Sequence, residues 1–242
     1  MLVGHIKEII RHPVKSFRGE SVQQSKIMDY GLYGDRSHVY LDETKKGDFL
    51  TITYFNEMVR YEAKFVGEES MDEYPKVEVI TPEGKVFDWD DQELISEMEN
   101  KSERNISTKK YTPSHVPIGP IAEEHVLLAT DASLHKLQEL WGKDEVDSRR
   151  FRPNLFISLK DKVPFIEEEW MGRRIKIGTE VEMKFVEYCK RCMIITVNPE
   201  NAERDPSLHR TVIKERNNIF GVYASVVKTG DIHVGDEIHL LD

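Results

Sequence analysis

Residues 173–197 read "RRIKIGTEVEMKFVEYCKRCMIITV". Val181, Met183 and Phe185 alternate with charged neighbours, the period-two pattern of a half-buried strand. The run "CMIITV" (192–197) is β-branched and apolar, and it reads as further strand. The same signal recurs on both sides: "MLVGHIKEII", "KIMDYGLYGDRSHVYLDE" with turns at Gly31 and Gly34, "YEAKFVGEE", "PKVEVITPEGKVFDW" with a hairpin turn at "TPEGKV", "HVLLATD", "FRPNLFISL", "IFGVYASVV" and "GDIHVGDEIHLLD". In "DRSHVYLDE", Ser37, Val39 and Leu41 share one face, and Arg36, His38 and Tyr40 share the other. Many short strands with tight turns and few helices predict a mainly β, α+β protein built on a β-barrel rather than a parallel sheet.

Three helices are expected. "DDQELISEMENKSE" spaces Leu94, Ile95 and Met98 helically and begins with acids that suit the helix dipole. In "TDASLHKLQELWGK", Thr130 or Asp131 caps the start, Leu134, Leu137, Leu140 and Trp141 form a stripe, and Gly142 stops it. "DPSLHRTVIKER" is the third. The polar, Pro-containing stretch 100–122 marks a seam near residues 105–113, giving a β-rich part over residues 1–107 and a barrel over 108–242.

The 242-residue chain is long enough for a sizeable core, and no apolar run approaches the roughly 20 residues that span a bilayer, so no membrane association is expected. The N-terminus lacks a signal-peptide pattern. Two cysteines are too few for a disulfide framework, which points to a reducing, cytoplasmic setting. A net charge of −10 argues against a nucleic-acid partner. Basic residues nevertheless gather in "HPVKSFRGE", "DSRRFRP" and "CKRC", which together would form a focused anion pocket if the fold unites them.

The C-x-x-C at Cys189 and Cys192 admits several chemistries. Structural zinc wants four ligands, and neither a second pair nor H-x-x-x-H spacing occurs. A thioredoxin-like pair belongs at a helix N-terminus, whereas both flanks here read as strand. In an extended chain the two Cα atoms would stand about 10 Å apart, beyond the roughly 7 Å reach of a disulfide. Two unpaired thiols remain, either packed as small hydrophobes or, with Arg191 beside Cys192, biased toward a thiolate.

Taken together, "HPVKSFRGE", "GLYGDRSHVYL", "LLATDASL", "SRRFRPNLFI", "YCKRCMIITVNPE" and "IFGVYASVVKTGDIHVGDEIHL" resemble, in order, the segments of the MOSC family, the domain named after the C-terminal part of molybdenum cofactor sulfurase. The subgroup is that of the mitochondrial amidoxime-reducing component and its bacterial relatives. The resemblance implies a β-barrel with an N-terminal β-rich subdomain and binding of molybdenum cofactor, a molybdenum-bearing pterin dithiolene with a phosphate tail. Cys192 matches the thiolate that ligates the metal and is the expected catalytic residue. Lys15 and Ser16 match positions meeting the cofactor's anionic end, Arg36 matches the arginine of "GDR", and Arg152 and Asn154 match positions lining the pterin. Arg191 and Tyr223 fall in segments near the cofactor. Pyridoxal phosphate binding belongs to the family's wider description and has no residue assigned to it here. The departures are Asn198 where the family often has an acid, Ala202 near a usual glycine, and "LTITYFNEM" in place of an alanine–arginine run.

The implied activity is that of an oxidoreductase whose molybdenum cycles between its IV and VI states and takes oxygen from a small N-hydroxylated substrate: a hydroxylamine, an amidoxime or an N-hydroxylated base. No iron–sulfur extension follows the barrel, so a separate electron-donor protein is expected. The alternative function is a non-catalytic carrier of molybdenum cofactor, or of sulfur on Cys192. On this reading Cys189 is a bystander.

Overall fold

The alternation in residues 181–190 belongs to one long strand, Val181–Lys190, whose Val181, Met183 and Phe185 are fully buried. In the computed structural model, which describes residues 1–121, 123–143 and 145–241, this strand lies in a closed sheet. The spatial order is Leu155–Leu159, Val126–Thr130, Ile219–Lys228, Val181–Lys190, Arg174–Ile177, Glu237–Leu240 and Leu2–Arg11. Leu2–Arg11 pairs back onto Leu155–Leu159, which closes a barrel of seven strands. All neighbours run antiparallel except Val126–Thr130 and Leu155–Leu159, joined by the helix Asp131–Trp141 as a parallel pair must be. The barrel is filled by residues such as Ile6, Ile157, Val222 and Ile238, each fully buried and each contributing roughly 1.5–3 kcal/mol of apolar transfer.

The first strand of the chain is therefore a barrel strand, and its continuation enters a second core. Phe17, Tyr40, Leu50, Met58, Tyr61 and Trp89 pack there, among two small sheets and the helix Gln92–Ser102. Residues Ile106–Lys110, inside the predicted seam, are a strand paired with His38–Asp42. A third core of Leu137, Phe151, Ile195, Leu208 and Phe220 lies under the helices Asp131–Trp141 and Ser207–Arg216.

The three expected helices form: Thr130 caps the second and Gly142 ends it at φ +67°, as the sequence places them, and Asp91, not singled out in the sequence, caps the first by accepting from the Glu93 amide. Two local expectations are corrected. Gly31 is a strand residue after a turn at Asp29–Tyr30, and "CMIITV" is not a strand. Residues Met193–Thr196 form a 3-10 turn in which Thr196 Oγ1 donates to the Met193 carbonyl at 2.7 Å. Ile195 is buried in the helical core, and a short buried apolar run carries no periodicity to separate strand from helix.

Candidate functional site

Where the Leu2–Arg11 strand leaves the barrel, the "HPVKS" segment turns against "GDR". The Lys15 amide donates to the His38 carbonyl at 2.9 Å, and the Arg36 amide donates to the His12 carbonyl at 2.6 Å. Ser16 and Arg36 take left-handed backbones, φ +72° and +52°, which is uncommon for residues with a Cβ and bends both loops toward one place. Asp35, fully buried, ties them together: it accepts from the His12 amide at 2.8 Å, pairs with Arg36, and accepts from Asn154 Nδ2 at 3.1 Å.

The "RRFRPN" segment arrives from the other side. A turn at Ser148–Phe151, capped by Asp147, ends at Arg152 in a left-handed conformation. Arg152 Nη1 donates to the Phe17 carbonyl at 2.9 Å, while its buried Nη2 has no partner. The strand starts only at Leu155, two residues past Pro153. Asn154 lies behind this wall: its Oδ1 accepts from the Leu127 amide at 3.1 Å and its Nδ2 holds Asp35. The side chain expected to line the pterin thus fastens the barrel to the "GDR" loop.

The cysteine segment completes the wall. The long strand ends at Lys190, Cys192 opens the Met193–Thr196 turn, and both thiols are free, Cys189 buried and Cys192 exposed. The extended chain that would put them on opposite faces is not kept: the strand ends before Cys192, and one sulfur is buried while the other is exposed. Arg191 differs from expectation. Its guanidinium donates to Cys189 Sγ at 2.7 Å and to the Phe151 carbonyl at 2.9 Å, so its hydrogen bonds turn inward, away from the neighbouring Cys192. Cys189 also meets the Tyr223 hydroxyl, whose pKa is pushed up by burial and then by that sulfur. It is no bystander, because it anchors two side chains of the site.

Every predicted residue except Asn154 lines one cleft of about 230 Å³: Lys15, Ser16 and Arg36 from the N-terminal side, Arg152, Arg191, Cys192 and Tyr223 from the barrel side. The remaining wall includes Thr51, Ile52 and Thr53, which come from the "LTITYFNEM" departure, with Leu127 and Phe151. Composition gave no sign of these, nor of Asp35, although Asp35 stands beside Arg36 in the "GDR" motif.

The cleft is cationic and short of anions. Burial, then Arg36 and Arg152, lowers the Lys15 pKa to about 7. Burial, then Arg36, lowers Arg152 to about 9. Among the described residues no carboxylate forms an ion pair with Lys15, Arg152 or Arg191; their hydrogen bonds go to the Pro120, Phe17 and Phe151 carbonyls and to Cys189. Arg191 Nε is also buried without a partner. Buried cations without counter-charge are costly, and a bound anion relieves that cost. Among the described residues no three His, Cys, Asp or Glu side chains come together as metal ligands. A metal held here by Cys192 would need its other ligands from a bound cofactor. An anionic, sulfur-bearing metal cofactor fits this donor set, since soft thiolate suits molybdenum and fixed cations suit a phosphate.

The comparisons run along the same residues. The chain matches the MOSC N-terminal beta barrel domain over residues 3–111 and the MOSC domain over residues 103–239. It is 27% identical to mitochondrial amidoxime-reducing component 1 of Danio rerio, over 98% of this chain and 85% of that protein. It is 33% identical to mitochondrial amidoxime reducing component 2 of Homo sapiens, over 47% of this chain and 36% of that protein. A molybdenum cofactor sulfurase of Caenorhabditis briggsae is 35% identical over 40% of this chain and 14% of its own length. Among solved structures, the YuaD protein from Bacillus subtilis superposes with a TM-score of 0.54 at 12% identity, covering 99% of this chain and 96% of that one, a likeness of fold. With Lys15, Ser16 and Arg36 inside the first matched region and Arg152, Arg191, Cys192 and Tyr223 inside the second, the chain belongs to the MOSC domain family.

Proposed function

We propose that this protein is a molybdenum-cofactor-dependent reductase of small N-hydroxylated compounds. The observation that carries the reading is the juxtaposition of a free, exposed thiol, Cys192, with buried cations that lack anionic partners. The relatives named as amidoxime-reducing components support the substrate class.

When bound, the cofactor supplies the two-electron chemistry. Cys192 offers the protein's thiolate to the metal from the rim, and Lys15, Arg36 and Arg152 hold the anionic end. Arg191 and Tyr223, fixed by Cys189, set the floor. Thr51 and Thr53, from the segment that departs from the family pattern, line the same cleft and bear on which substrates it admits. In the overall reaction the N–O bond of R–NHOH breaks, two electrons arrive from a separate donor protein with two protons, and R–NH2 and water leave.

The test is reduction of benzamidoxime or a hydroxylaminopurine by cofactor-loaded protein with an artificial donor. Turnover lost in Cys192→Ser is expected; no turnover at full molybdenum occupancy sinks the reading. The carrier alternative draws on the exposure of Cys192 and on the sulfurase likeness. A carrier would pass its cofactor to an apo-enzyme without turnover.

A further inference from the structure

Behind the cofactor cleft lies a second one, of about 250 Å³, and the two share Ile52, Arg152 and Ile194 as a common wall. Its apolar side is made by Ile10, Ile52, Val59 and Val197, and its polar side carries Arg18, Arg149, Arg150 and Arg152 against Glu8 and Asp147. Arg149 pairs with Asp147 and Glu200, and Arg18 pairs with Glu200 at 2.8 Å. Arg150 has no carboxylate partner among the described residues; its Nη1 donates to the Ile195 carbonyl at 3.1 Å. Burial holds its pKa below the usual arginine value.

Polar groups in this cleft are left over. Arg18 Nε and Arg152 Nη2 are buried without partners. His12 is only 4% exposed, and neither ring nitrogen makes a hydrogen bond of good geometry, although the Phe17 backbone runs alongside. Burial, Arg152 and Arg36 keep the ring neutral, so it offers one donor and one acceptor rather than charge. Buried polar groups in folded proteins are almost always satisfied. The leftover donors of Arg18 and His12, with Arg150 lacking a carboxylate partner among the described residues, suit an oxygen-bearing anion.

We infer that this cleft binds the acidic end of the substrate, a carboxylate or phosphate on an apolar body, with Arg150, Arg18 and His12 as its contacts. The inference rests on the reductase reading and narrows its substrate class to N-hydroxylated acids. A separate cation set, Lys15 and Arg36, lines the cofactor cleft but not this one, so the cofactor's phosphate has its own site. The apolar wall matches an aromatic or aliphatic body, and because Ile52, Arg152 and Ile194 line both clefts the two adjoin, so on this inference the body passes those residues to reach the Cys192 side.

The experiment compares binding of 4-carboxybenzamidoxime and benzamidoxime to cofactor-loaded full-length protein by calorimetry. The acid is expected to bind at least about tenfold more tightly, a preference that salt weakens. Arg150→Gln and Arg18→Gln each shrink the ratio toward one, and Arg150→Lys retains part of it. Equal affinities in the wild type, or a preference surviving both glutamine variants, overturn the inference. So does an acid that binds cofactor-free protein but not loaded protein, because the cleft then holds the cofactor's own phosphate. Benzamidoxime turnover in the same samples separates the claims. Turnover without acid preference removes this cleft's role alone, and acid preference without turnover removes the reductase reading, and with it the substrate assignment, leaving an acid-binding cleft.

Discussion

Arg191 donates to Cys189 Sγ at 2.7 Å, so the first cysteine of the C-x-x-C pair receives the charge that the sequence places next to the second. The division of labour is physical. Cys189 is buried with Leu127 and Tyr223, and its sulfur is the acceptor that a buried guanidinium and phenol share. Cys192 is left as a free, exposed thiol lining the cleft.

Removing that acceptor has a defined cost. Cys189→Ala strands an Arg191 donor in the interior, which destabilises by about 1–3 kcal/mol. Cys189→Ser keeps an acceptor and recovers part of the loss. Urea unfolding of the two variants checks this order.

Asp35 holds three segments at once, through the His12 amide, Arg36 and Asn154. Asp35→Asn leaves Arg36 buried without its carboxylate, at a cost of about 3–5 kcal/mol. The melting temperature should fall sharply, and Arg36→Met combined with it should fall by less than the two single losses summed. Strict additivity would show that the pair is not coupled.

Lys15 gives a pH signature. Its folded pKa, about 7, lies below its ordinary value of 10.5. Between those values the unfolded chain binds more protons than the folded one, so the cofactor-free protein gains stability as pH rises from 7 toward 10.5. Arg152, lowered to about 9, acts in the same direction at higher pH. Lys15→Met should flatten the slope of stability between pH 7 and 9. An anion in the cleft restores the Lys15 charge, so its binding takes up a proton and weakens over the same pH range.

Glu167 tests the opposite sign away from the site. It is buried beside Thr130, and burial raises its pKa to about 6. The folded state binds the extra proton between about 4.5 and 6, so stability is lost as pH rises through that window. Glu167→Gln should melt higher than wild type at pH 7 and no higher at pH 4. A constant difference across pH would contradict the assignment.

The barrel and its helices were legible because their signals are local: alternation in Val181–Lys190, the Thr130 cap, the Gly142 stop. The site was legible as a set of motifs, since basic clusters distant in sequence had one economical use, and seven of the eight residues singled out from those motifs line one cleft. What escaped is non-local. Asn154 faces Asp35 rather than the cleft because the Leu127 backbone claims its amide oxygen, a contact no sequence window contains. The inward turn of Arg191 follows from the Phe151 carbonyl, forty residues away. Residues 193–196 curl because the helical core, not their own periodicity, buries Ile195.

The most direct measurement is molybdenum per chain in protein from a cofactor-competent host, with folding checked by circular dichroism. The account predicts about one molybdenum in the wild type and in Cys189→Ser, and loss in a folded Cys192→Ser. Equal molybdenum in Cys192→Ser and Cys189→Ser would contradict it.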